Sequence, residues 1–102
     1  MPHRIHHASA DVLDAVAACS CAVVAERPDT LRALLLEDAL GSLLRAERML
    51  ADCRRLQALD ELFTALGLLN DAIDAAGVLP DDDPVLGALD AATHALAATA
   101  RA

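Results

Sequence analysis

Tryptophan, tyrosine and lysine are absent from this 102-residue sequence, and Phe63 is its single aromatic residue. Without aromatic faces or basic tracts there is no platform for stacking nucleobases, and without lysine there is no Schiff-base chemistry. Positive charge is scarce: eight arginines stand against sixteen acidic residues, for a net charge of −8. Such a balance repels polyanions, so neither nucleic acid nor an anionic membrane surface is an expected partner. Thr, Val and Ile are too scattered for alternating strands, and Ala and Leu dominate. The composition is therefore helical. Three cysteines are an odd number, which rules out a complete disulfide framework and favours a reducing, cytoplasmic setting. No uninterrupted run of about 18 apolar residues occurs, so no membrane span is expected. Arginine without lysine, beside abundant Ala and Asp, matches GC-rich coding and a bacterial source.

Val16-Ala17-Ala18-Cys19 has the outline of a lipoprotein cleavage box, with Arg4 ahead of it. Asp11 and Asp14 interrupt the apolar region that such a signal requires, so the segment is expected to stay in the chain.

The length is that of one domain, which buries roughly 65% of its unfolded surface. Residues 1–8 lack an amphipathic period and read as a flexible arm before a single helical domain over 9–102. The pattern predicts four helices, at about 9–26, 30–55, 58–76 and 84–100. Ser9 is the expected first N-cap, Asp29 or Thr30 the second, and Gly77 ends the third helix. Asp83 before Pro84 is a strong start for the fourth. The second helix is expected to turn Leu31, Leu35, Ala39, Leu43, Ala46, Met49, Leu50 and Cys53 inward. The third presents Leu59, Leu62, Phe63, Leu66, Leu69 and Ile73, and the fourth Val85, Leu86, Leu89, Ala92 and Leu96. Short connections then give an all-α, antiparallel up-down four-helix bundle, or five helices if Gly41 breaks the second.

Ala15, Ala18, Ala22 and Ala25 in helix 1, and Ala88, Ala91, Ala95 and Ala98 in helix 4, share a 3-4-3 spacing. Both rows are expected on the helix backs, away from the Val/Leu stripes. Rows of small side chains permit close helix approach, which would seal helix 1 against helix 4 or one subunit against another. Leu34, Leu44 and Leu68 fall off the core arcs and are the candidate partner surface.

Candidate chemistry is thin. His3, His6 and His7 form a solvated cluster, and Asp90 and His94 sit at i and i+4, the spacing of a weak side-chain pair. Cys19 is expected in the core with Val12, Val16 and Val23, while Cys21 points elsewhere. Cys19 with Cys53 and a histidine is a remote metal combination. Asp81-Asp82-Asp83 lacks the glycine and distal Glu of a calcium loop. Arg45, Arg48, Arg54 and Arg55 are interleaved with Glu47 and Asp52, so their charge is answered locally. The segments LED, with Glu37 and Asp38, and NDAID, with Asp71 and Asp74, resemble the paired acidic motifs of all-α nucleotide pyrophosphohydrolases of the MazG kind. That resemblance implies a helical bundle holding magnesium between facing helices. Gly41 stands where a third carboxylate is needed, and the phosphate-binding lysine is missing.

The leading expectation is a non-catalytic protein–protein interaction module, homodimeric, without cofactor or metal, binding another protein through an apolar or Ala-rich face. A basic partner surface would suit the acidic chain. Bacterial or phage regulators, adaptors, chaperones and toxin antidotes share this description. The alternative is a magnesium-dependent nucleoside triphosphate pyrophosphohydrolase using Glu37, Asp38, Asp71 and Asp74.

Overall fold

The computed structural model describes residues 2–102, with side chains from residue 7 onward. Four helices account for nearly all of it, and no strand occurs among the described residues: α1 (Pro2–Ala25), α2 (Leu31–Ala51), α3 (Arg55–Ala76) and α4 (Pro84–Arg101). Helix α1 packs on α4 and α2 on α3 most extensively, and the α1–α2 and α3–α4 contacts close the ring. The result is an up-down four-helix bundle with Cα extents of 41 × 22 × 18 Å.

Local chemistry explains most of the boundaries. Thr30, rather than Asp29, caps α2: its hydroxyl accepts the Ala33 N–H at 3.0 Å, filling one of the orphan donors of the first turn. Asp83 caps α4 by accepting the Val85 N–H at 3.0 Å, with Pro84 in the first turn. Gly77 ends α3 at φ 75°, where an L side chain would be strained. Gly41 does not interrupt α2, so there is one long helix and not two.

Two boundaries differ from expectation. Helix α1 begins at Pro2, so Ser9 lies inside it and is not an N-cap. Proline suits a first helical turn, and adding turns to an established helix is far easier than nucleating one. Helix α2 stops at Ala51, not near Arg55. The amide of Arg54 donates to Met49 O at 2.7 Å and that of Cys53 to Leu50 O at 3.0 Å, the paired bonds of a Schellman stop. Cys53 occupies the left-handed position of that stop, at φ 59°, where glycine is usual.

The core follows an alternation of three and four residues, with Ala33, Ser42 and Ala98 buried beside it. Helix α1 buries Ala8, Val12, Ala15, Cys19 and Ala22; α2 buries Leu36, Ala39, Leu43, Ala46 and Leu50; α3 buries Ala58, Leu62, Ala65, Leu69 and Ala72; α4 buries Val85, Ala88, Ala92, Ala95 and Thr99. This 3.5-residue period is the one that keeps a seam facing its neighbours in shallowly crossed bundles.

The expected inward arcs are therefore rotated. Leu31 and Phe63 are exposed, Leu35, Leu59, Leu66, Leu86, Leu89 and Leu96 are half-buried flanks, and Cys53 leaves the helix altogether. The alanine rows, expected on the helix backs, belong instead to the interior: Ala15, Ala22, Ala88, Ala95 and Ala98 are buried, Ala18 and Ala91 half-buried, and only Ala25 is exposed. The reason is distance. Small residues occupy the line of closest approach between helices, and larger Leu side chains close the gaps at its edges.

One ionic clamp ties three elements at one end. Arg32 donates through Nη2 to Asp83 Oδ1 while Asp83 caps α4. Its Nε lies 3.3 Å from Glu26 Oε2 without being aligned to donate, so that contact is held by charge alone. In the core, the Thr99 hydroxyl is buried without a hydrogen-bond partner.

Two substitutions test this description. Cys53→Gly relieves the left-handed strain but frees the unfolded chain, for a net gain of about 0.5 kcal/mol and a rise of roughly 2–4 °C in Tm; a lowered Tm contradicts the turn geometry. Thr99→Val deletes the orphan hydroxyl at nearly constant volume, and should stabilise by about 1 kcal/mol in urea unfolding. Thr99→Ser, which keeps the hydroxyl and loses a methyl, should destabilise; a stabilised serine variant rules out the orphan.

Candidate functional site

The carboxylates named by the pyrophosphohydrolase resemblance come first. Glu37 and Asp38 on α2 and Asp71 and Asp74 on α3 are all exposed. Where magnesium would have to sit between facing helices, α2 presents Ala39 and Leu43, and α3 presents Leu69 and Ala72. Among the described residues no three or more His, Cys, Asp or Glu side chains come together as a metal site. The arrangement implied by the resemblance is not formed, because the inner heptad positions are taken by apolar residues.

Of the thiols, Cys19 is in the core, where its Sγ donates to Leu36 O at 3.5 Å. Burial pushes its pKa up to about 11, so it stays a protonated thiol with little nucleophilic character. Cys21 and Cys53 are exposed. With Cys53 in the α2–α3 turn, a joint site with Cys19 and a histidine is not assembled.

Polar groups line several open depressions, one of them around the Arg32 clamp with Glu26, Thr30 and Asp83, and two lie beside α1 and α4. One, of about 310 Å³, is lined by Asp11, Asp14, Asp90, Ala91 and His94 and lies between α1 and α4. The other, of about 630 Å³, is lined by His7, Asp11, Ala98 and Arg101. His94 Nδ1 is 2.8 Å from the carbonyl oxygen of Asp90 and 3.7 Å from its carboxylate. The carbonyl bond first, then the Asp90 and Asp11 charges, raise the His94 pKa above 6.5. The side chains of His3 and His6 lie outside the described residues, so the N-terminal histidine cluster is represented by exposed His7 alone.

Arg45 and Arg55, like Arg32, tie elements together. Arg45 bonds Glu61 Oε2 at 3.0 Å and Ser42 Oγ at 3.1 Å, joining α2 to α3. Arg55 donates to Ala100 O at 3.0 Å and so fastens the start of α3 to the end of α4. Arg48 does not pair with Asp52; the Asp52 amide bonds the Arg48 carbonyl at the helix end instead. Of the acidic loop, Asp83 is the cap and clamp, and Asp81 and Asp82 are exposed.

What the surface offers is apolar area. Leu34 is 58% exposed and Leu44 50%, while Leu68 is half-buried against the core. Sequence reasoning missed Leu13, Val24, Leu31, Leu56, Phe63 and Val78, all exposed large hydrophobics. A signal for them existed: once Ala is given the inner positions, the large residues must lie outside. Helix α1 is the extreme case. Its segment His7–Ala25 has a mean hydropathy of 1.6 and is long and apolar enough to cross a membrane by length and composition, and only 28% of that window is buried inside the bundle.

No family model, no curated protein and no solved structure matches this chain.

The Asp90–His94 pair sets a pH dependence. Because the folded pKa of His94 is raised, its contribution to stability is present in full below the unfolded value near 6.5 and is lost as pH rises through the folded value. NMR titration should place the His94 midpoint above 6.5, and Asp90→Asn should lower it only part of the way, since the carbonyl remains. A wild-type midpoint at or below 6.5 contradicts the geometry.

Proposed function

We propose that this protein is a non-catalytic, acidic helical module that acts in the bacterial cytoplasm by binding another protein, as a homodimer, in the manner of a regulator, adaptor, chaperone or antidote. The observation that carries the reading is the surplus of large apolar side chains outside a finished core, with Leu34 and Leu44 on the outward side of α2 as the contact residues. Isolated exposed leucines are ordinary, but eight large hydrophobics exposed among the described residues, outside a core that is already closed, are a binding resource. The charge adds direction. Arg32, Arg45 and Arg55 are engaged within the bundle, which leaves a net negative surface suited to a basic partner and to fast, salt-sensitive encounter.

Leu34→Glu with Leu44→Glu should leave the helical circular dichroism intact, because both side chains are exposed, and should remove at least 90% of the partner recovered by affinity capture from source cells. The association rate of that partner should fall with rising salt. Undiminished capture by the double variant overturns the assignment of the surface. Stabilisation by magnesium with a nucleoside triphosphate, abolished by Asp71→Asn, overturns the non-catalytic reading itself.

A further inference from the structure

Charge is divided between the two ends of the bundle. The α1–α2 and α3–α4 connections lie together at one end, where Glu26, Asp29, Asp81, Asp82 and Asp83 stand against Arg27 and Arg32. The α2–α3 turn at the other end has Asp52 among Arg48, Arg54 and Arg55. Between the first two connections opens a cleft of about 470 Å³, within the size range of ligand sites. Its lining is apolar at Leu31, Ala76, Val78 and Leu79 and polar at Glu26, Arg32 and Asp83. Leu31 is 65% exposed and Val78 97%, so neither gains the free energy of burial within the fold. The carboxylates in the cleft are under-used. Among the described residues, the Asp83 carboxylate accepts two hydrogen bonds, from Arg32 Nη2 and the Val85 N–H, and both end on Oδ1. The Glu26 carboxylate accepts one bond of 3.3 Å from the Thr30 hydroxyl, which also donates to Arg27 O. A carboxylate has about four acceptor positions, and these two side chains remain 18% and 12% exposed, so both can take a further donor. One arginine between two carboxylates leaves the cleft negative.

We propose that this cleft is a docking site for a basic segment of the partner protein, whose arginine or lysine side chains reach Glu26 and Asp83 while neighbouring apolar side chains cover Leu31 and Val78. The site rests on the protein-binding reading above and gives that partner its chemistry. Charge complementarity selects the occupant. Two part-open carboxylates accept most strongly from charged donors, and the exposed Asp81 and Asp82 beside them draw a basic surface from within the screening length of about 8 Å. The apolar rim supplies the water-excluding contact that charge alone lacks. Leu31 stands one turn before Leu34, so the cleft continues into the leucine face of α2. An anionic ligand is disfavoured by the same charges, because it has to displace Glu26 and Asp83 from Arg32. A second copy offering its arginine-rich turn is the weaker occupant: every copy has both ends, so such contacts add subunits without closing, against a net charge of −8 per chain.

Calorimetry and NMR on the full chain test this, with a short peptide of alternating arginine and leucine as the probe and its glutamate counterpart as the control. The arginine peptide should bind one to one and shift the amide signals of Leu31 and of Ala75 to Leu79, and the glutamate peptide should not bind. Asp81→Asn with Asp82→Asn, both outside the clamp, should weaken binding about fivefold or more, the effect of two exposed ion pairs. Asp38→Asn with Asp60→Asn removes the same charge elsewhere on the surface and should weaken it by about twofold at most. Val78→Ser should weaken it about threefold or more with unchanged helical content. Equal losses in the two aspartate pairs, shifts spread over Glu37, Asp38, Asp60 and Asp71, or binding indifferent to Val78→Ser reduce the attraction to net charge and overturn the site. So does self-association in sedimentation that Asp81→Asn with Asp82→Asn abolishes, which assigns the cleft to a second copy. Failure here is distinguishable from failure of the functional reading. If the peptide ignores the cleft while capture from cells still depends on Leu34 and Leu44, only this site is lost. If the peptide fills the cleft while capture is indifferent to those leucines, only the leucine surface is lost.

Discussion

Everything in this molecule depends on how closely its helices approach. Alanine holds about half of the inner heptad positions, including Ala8, Ala15 and Ala22 in α1 and Ala88, Ala92 and Ala95 in α4. Methyl groups on the line of contact permit close approach of the backbones, and the molecule measures 41 × 22 × 18 Å along its principal axes. Such a core buries little area per residue, because a methyl group removes less surface from water than a leucine side chain. Leucine then has three places to go: the few inner positions of α2 and α3 such as Leu36, Leu43, Leu62 and Leu69, the flanks of each seam, or the outside. The exposed apolar surface is thus a direct consequence of the small-residue seam.

Alanine seams alone specify poorly where a helix must stop, and the ends are settled by polar groups. Thr30 and Asp83 each satisfy an amide in the first turn of a helix, and Gly77 and Cys53 take the left-handed backbone at the two stops. Arg32 gathers Glu26 and Asp83, linking the end of α1, the start of α2 and the start of α4. Arg55 does the same for α3 and α4 at the opposite turn. Beside these ends, α1 turns Ala8, Val12, Ala15, Cys19 and Ala22 inward and leaves Leu13, Asp14, Ala17 and Val24 outside.

The electrostatic consequence follows from that economy of arginine. Arg32, Arg45 and Arg55 are engaged in holding elements together, while Glu37, Asp38, Asp60, Asp71, Asp74 and Asp82 remain on the surface. The exterior is acidic with apolar islands: the one strongly perturbed thiol, Cys19, is protonated by burial, and Glu37, Asp38, Asp71 and Asp74 are exposed on their helices without converging.

Fold class, helix number and most caps were legible in the residues themselves, because composition, a period of three to four and local hydrogen-bonding preferences act over a single turn. Asp83-Pro84, Gly77 and the antiparallel order all follow from such local rules. The facing of each helix was not legible. A hydrophobicity-weighted wheel assigns Leu35 and Phe63 to the core and the alanine rows to the back, since Leu and Phe gain more by burial than Ala. Only neighbouring helices decide otherwise, because closeness favours the residue that lets the other backbone in. The same holds for the turn at Cys53 and the stop of α2, where a residue of helical pattern adopts a left-handed backbone once α3 must fold back beside it. Sequence determined that this chain makes four amphipathic helices with a negative balance. Tertiary structure decided which side of each is inside, and so which apolar residues remain on the outside.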